Sequence, residues 1–88
     1  MPVKQFTQEE ARAIGELIGI DGSAGDVDLE QFRMGLAVEL EHGSHDPDTD
    51  VTHDDHVLTG KIALAHLREI GDYYTRLAAM EQEAERVE

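Results

Sequence analysis

Apolar residues near the start of the chain recur in steps of three and four. Ala11, Ile14, Leu17 and Ile18 fall on one face of a helix. Thr7 stands at the N-cap position, with Glu10 three places later to complete a capping box. Phe6 precedes the cap, in position to pack back onto Ala11, and Gly19 marks the stop. Residues 21–27, Asp-Gly-Ser-Ala-Gly-Asp-Val, are turn formers and predict a joint. A second stripe follows: Leu29, Phe32, Leu36 and Leu40, flanked by Met34 and Val38. It predicts a helix capped by Asp26 or Asp28, with Gln31 three residues after the latter, that ends at Gly43.

Residues 44–52 are polar, and Pro47 forbids an uninterrupted helix through them. Thr52 with Asp55 offers a further capping pair, and Asp54 and Asp55 suit a helix N-terminus. The third helix is expected from about His53 to Ile70. Gly60 inside it is unfavourable by ~1 kcal/mol relative to alanine, which points to close packing there. Gly71-Asp72 reads as a stop followed by a cap. A fourth helix then starts near Tyr73, carries Leu77 and Met80 inward, and frays over the charged residues 81–88. A single bent helix from 53 to about 84 is the alternative. No stretch alternates with period two, so no sheet is expected. The pattern predicts an all-α protein, a compact bundle of three to four short helices. It forms one domain over residues 1–88, with its core at about 6–81.

Composition narrows the partners. The chain has 88 residues, 20 Asp plus Glu, 7 Lys plus Arg, a formal charge of −13 and no cysteine. A chain of this size buries only about 60% of the surface its unfolded form exposes, so its stability is modest. No disulfide or thiolate metal site braces it. Phosphate neutralisation needs clustered Lys and Arg, so nucleic acid is excluded as a partner, and anionic membrane surfaces are disfavoured for the same reason. No apolar run reaches the ~20 residues that cross a bilayer, and the first residues lack the apolar core of a signal peptide. A soluble, cytoplasmic protein is expected.

The charge also frames the candidate chemistry. On the second helix the stripe Phe32–Leu36 continues into Glu39, with His42 three residues on and about 60° around the axis. On the third, Leu58 and Ile62 lead to His66, Glu69 and Tyr73. The result is Glu-x-x-His on one helix and His-x-x-Glu on the other, and antiparallel packing would bring them together. A buried carboxylate must find a partner or change protonation. Glu39, His42, His66 and Glu69 are therefore candidate ligands for a divalent transition metal: iron, zinc or manganese. The other solution is a closed Glu–His hydrogen-bonded network without metal. Glu-x-x-His is also the spacing of ferritin-like di-iron bundles, though this chain lacks the second copy and the length.

Other sites are weaker. Asp46, Asp48, Asp50, Thr52 and Asp54 alternate as in a calcium loop, but Val51 and Val57 occupy the positions of its glycine and its final glutamate. Capping by Asp50 or Thr52 is the expected role. Glu41, His45, His53 and His56 read as exposed or structurally paired, and Tyr73 and Tyr74 as packing residues. No nucleophile motif or phosphate loop is present, so the sequence makes no case for or against an enzyme.

Four segments carry a resemblance: Phe-Arg-Met-Gly at 32–35, Val-Glu-Leu-Glu-His-Gly at 38–43, Thr-Gly-Lys-Ile-Ala-Leu-Ala-His-Leu at 59–67 and Asp-Tyr-Tyr-Thr-Arg-Leu at 72–77. Together they resemble a family of small uncharacterised prokaryotic and phage-associated proteins, a domain of unknown function. The resemblance implies no activity. Its members often have proline where this chain has Gly71, which implies a break before Asp72. Two functions remain in view. One is a small metal-binding helical protein; the other is an acidic module that binds a protein partner or forms a homodimer around a metal-free Glu–His network.

Overall fold

The computed structural model describes residues 5–20 and 27–86, with the backbone alone for 43–45 and 86. Among the described residues four helices follow one another: α1 (Gln8–Leu17), α2 (Leu29–His45), α3 (His56–Glu69) and α4 (Tyr73–Arg86). No strand occurs among the described residues. The all-α reading holds, and the region 53–84 is two helices rather than one bent helix.

The caps explain most of the boundaries. Thr7 Oγ1 accepts from the Glu10 N–H at 3.0 Å while Glu10 Oε1 accepts from the Thr7 N–H at 2.9 Å, a complete capping box. Gly19 leaves α1 with φ +92°, the left-handed conformation that costs glycine little. Asp28 caps α2 by accepting from the Gln31 N–H at 3.0 Å; Asp26 and the rest of the expected joint at 21–26 lie outside the described residues. Asp55 alone caps α3, accepting from Val57 and Leu58. The expected Thr52 cap is a correction: that threonine is buried instead.

Three other boundaries differ from the sequence reading. α2 runs past Gly43 to His45, because a glycine stops a helix only where the chain also leaves the α region. α3 starts at His56 rather than about His53, since His53 and Asp54 take left-handed φ values of 50° and 65°. The helical conformation of α4 continues through Arg86, where fraying was expected.

The core gathers Phe6, Ala11, Ile14, Ile20, Phe32, Leu36, Ala63, Leu64, Leu67 and Tyr74. α2 lies at its centre and packs on each of the other helices, and α1 also meets α3. Gly60 lets α1 and α2 approach α3: a Cβ there would lie 3.0 Å from Ile14 Cγ2 and 3.3 Å from Phe32 Cζ. The expected faces are partly rotated. Leu17 is 73% exposed, and Leu58 and Met80 also face outward. The buried face of α3 is Thr59, Gly60, Ala63, Leu64 and Leu67, about one position from the stripe that the larger apolar residues suggested. Small residues at the packing face carry little hydropathy, so the stripe understated them.

Candidate functional site

One row of residues on α2 organises the site. Gln31, Gly35 and Glu39 recur every four residues and so stand one above another along a single face. Each meets the start of α4. Gln31 Oε1 accepts from the Tyr74 N–H at 3.1 Å, satisfying a donor that the first turn of a helix leaves unpaired, and its Nε2 donates to Thr75 Oγ1 at 2.7 Å. The Tyr74 ring lies directly over Gly35. A Cβ on that glycine would fall within 2.8 Å of Tyr74 Cζ and closer still to Cε2. Beyond the ring, the Tyr74 hydroxyl donates to Glu39 Oε2 at 2.7 Å. Positions four apart are ~6 Å apart along a helix, about the reach of a tyrosine side chain. A ring seated on position 35 therefore places its hydroxyl at position 39.

Around this clasp the other aromatic groups close in. His66 Nε2, from α3, lies 3.5 Å from Glu39 Oε2. Its ring stacks on Tyr73 with centroids 4.2 Å apart and planes within 3°, while Tyr73 and Tyr74 meet edge to face at 5.0 Å. The Glu39 side chain is 11% exposed and that of His66 39%. Burial, and next the hydrogen bond to Glu39, push the Tyr74 phenol far above its ordinary ionisation range, so it stays a donor. The carboxylate thus has a donor from α4 and an imidazole from α3, as a semi-buried charge requires.

The four candidate ligands do not form one group. Glu39 and His66 come together across α2 and α3. His42 is exposed one turn beyond Glu39, and Glu69 is exposed near the end of α3. Among the described residues, no group of three or more His, Cys, Asp or Glu side chains is placed to hold a metal ion. The Asp-rich loop is occupied with its own turns: Asp46 accepts from the Asp48 N–H at 2.9 Å and Asp50 from the His53 N–H at 2.8 Å. Glu41 and His53 are exposed, His56 packs edge-on against Phe6 at 5.2 Å, and the side chain of His45 lies outside the described residues.

Beside the clasp is an open hollow of about 170 Å³, lined by Glu39, His42, Thr49, Val51, Thr52 and Ile62. The two buried threonines stand in contrast. Thr59 donates its hydroxyl to the Asp55 carbonyl at 2.7 Å. Thr52 is 2% exposed, and its Oγ1 has no hydrogen-bond partner. Such a group costs roughly 1–3 kcal/mol.

Tyr74, Gly35 and Thr52 are the residues that the sequence reading did not assign to the site. Gly35 carried a legible signal: a glycine four residues before an acid, beside the Phe32–Leu36 stripe of the same helix, leaves room for a ring whose polar end reaches that acid. Thr52 gave no such signal, because its burial depends on the left-handed turn that follows it.

The four helices of the described residues, with a tyrosine clasp between α2 and α4, define a small helical-bundle protein. No helix of the described residues is long and apolar enough to cross a membrane. A family model, DUF5661, described as a protein of unknown function, matches residues 11–83, and the chain belongs to that family. Neither a curated protein nor a solved structure matches the chain.

Proposed function

We propose that this protein is an interaction module whose docking element is the outer part of α4, and that its partner is an amphipathic helix with basic flanks. The observation that carries this reading is Met80, 60% exposed on a helix whose other end is clasped to the core. Tyr73, Leu77, Met80 and Ala84 recur in steps of four, three and four, one continuous stripe. Tyr73 and Leu77 pack against the core, whereas Met80 and Ala84 face solvent. Glu81, Glu83 and Glu85 beside them are exposed. Two copies joined along this face would oppose like charges, which is unfavourable. A basic amphipathic helix supplies both the apolar seam and the opposite sign.

The test is calorimetric titration with a synthetic helical peptide of leucine and lysine in heptad spacing, with light scattering on the protein alone. The expected results are a monomer unaffected by chelator, saturable peptide binding that weakens with salt, and loss of binding in Met80→Glu. A dimer, or binding that Met80→Glu leaves intact, contradicts the reading.

A second reading keeps the divalent transition metal, with Glu39 and His66 as its nucleus and His42 and Glu69 as further ligands. The 3.5 Å approach of Glu39 and His66 from separate helices favours it. Elemental mass spectrometry of purified protein decides the matter. Near-stoichiometric iron, zinc or manganese, lost in His66→Ala, supports the metal reading, and a metal-free sample supports the metal-free clasp.

A further inference from the structure

Sulfur is scarce in this chain and unevenly sheltered. There is no cysteine, and the three methionines are Met1, Met34 and Met80. Met1 lies outside the described residues, and Met34 is half-buried against the core. Met80 is 60% exposed, within a run from Ala78 to Glu85 in which every residue faces solvent. With no thiolate to compete, an accessible thioether is the sulfur that an oxidant reaches. Charge selects the oxidant. Glu81, Glu83 and Glu85 are exposed beside Met80 and the chain carries a formal −13, so anionic oxidants are repelled and uncharged hydrogen peroxide is not. Position then gives the oxidation a consequence. Among the described residues, Met80 is the large apolar side chain on the outer part of the α4 stripe, between half-buried Leu77 and exposed Ala84. A thioether packs there as a flexible apolar group. A sulfoxide is polar, and its oxygen would have to give up water against an apolar seam.

We propose that Met80 is a reversible redox switch of the α4 docking face: oxidation of its thioether by hydrogen peroxide turns docking off, and reduction of the sulfoxide turns it on again. The switch rests on the docking reading above. A sulfur lone pair attacks one peroxide oxygen, the O–O bond breaks, and that oxygen stays on sulfur while the other leaves as water. Sulfur gives up two electrons and the peroxide takes them. A dithiol reductant reverses the step: two thiols close to a disulfide, and the sulfoxide oxygen leaves as water. Each sulfoxide epimer has its own reductase, so full reversal takes both.

Calorimetric titration with the leucine–lysine peptide tests it, before and after brief treatment of the full chain with hydrogen peroxide that is then removed with catalase. Peptide mapping by mass spectrometry follows the oxygen. The expected results are an added oxygen on Met80 while Met34 stays reduced, and recovery of binding with the two sulfoxide reductases and dithiothreitol. The oxidised protein should bind the peptide about tenfold more weakly, as burial of an unpaired polar oxygen predicts. Met80→Leu keeps an apolar side chain without sulfur at an exposed position, so it should bind the peptide and lose nothing on peroxide treatment. Oxidation of Met34 ahead of Met80, unchanged binding once Met80 carries the oxygen, or an equal loss in peroxide-treated Met80→Leu would overturn the switch and leave the docking reading standing. Untreated protein that does not bind the peptide would overturn the docking reading and the switch with it.

Discussion

The two ends of α4 are held in opposite ways. Its first turns are fastened three times by one row of α2: Gln31 at the Tyr74 N–H, Gly35 under the Tyr74 ring and Glu39 at the Tyr74 hydroxyl. From Ala78 to Glu85 every residue is exposed. Ala78, Ala79, Met80, Glu81, Gln82, Glu83, Ala84 and Glu85 are nonetheless all strong helix formers. A helix this short is marginal on its own, because nucleation is costly while each added residue is cheap. The clasp supplies the nucleus, and intrinsic propensity carries the helix outward. Packing therefore fixes where α4 points, and composition decides that it stays helical beyond its support.

The strongest way to break this contrast is Gly35→Ala. The added methyl meets the tyrosine ring and not a flexible tip, so the expected loss is about 1–3 kcal/mol of overpacking energy. In urea titration the midpoint should fall, and helicity by circular dichroism should drop as α4 is released. A variant as stable as the wild type would mean that the ring does not sit over position 35.

Tyr74→Phe is a milder change, since it keeps the ring and removes only the donor to Glu39. A hydrogen bond to a charged group contributes about 1.5–3 kcal/mol when its partner is left without it. His66 remains beside the carboxylate, so the lower end is expected in thermal or urea unfolding. An unchanged midpoint would show that Glu39 is satisfied without the phenol.

The smallest effect concerns Asp72, whose carboxyl is held below the ordinary range by the hydrogen bond from Arg76 Nε at 2.7 Å. A lowered folded value means that its contribution is present above the unfolded value and disappears as pH falls through the folded one. Both groups are exposed, so only a slight change should appear in acid titrations of stability, and Asp72→Asn should remove it.

Much of the fold was legible because caps and glycines act locally. The Thr7–Glu10 box, the Asp28 cap and the glycine at 19 each depend on a few neighbouring residues. The rotated face of α3 was not legible, since Thr59, Gly60 and Ala63 pack by being small and leave the larger Leu58 partly outside. Of the candidate site, the convergence of Glu39 and His66 could be read from two helical stripes that turn polar at the same level. The positions of His42 and Glu69 could not: an interval of three turns a helix by a large part of a right angle, enough to carry a side chain from the interface to solvent. Tyr74 became visible only once α4 was placed, because its partner lies 35 residues away in the chain.

Docking of a basic amphipathic helix, as proposed, would engage the outer turns of α4 and spare its first turns, which belong to the core. Amide NMR of labelled protein titrated with the unlabelled leucine–lysine peptide tests it most directly. Shift changes should concentrate at residues 77–85, with Ile14, Phe32 and Leu64 unmoved. Shifts spread over α1 and α3, or no shifts at saturating peptide, would contradict it.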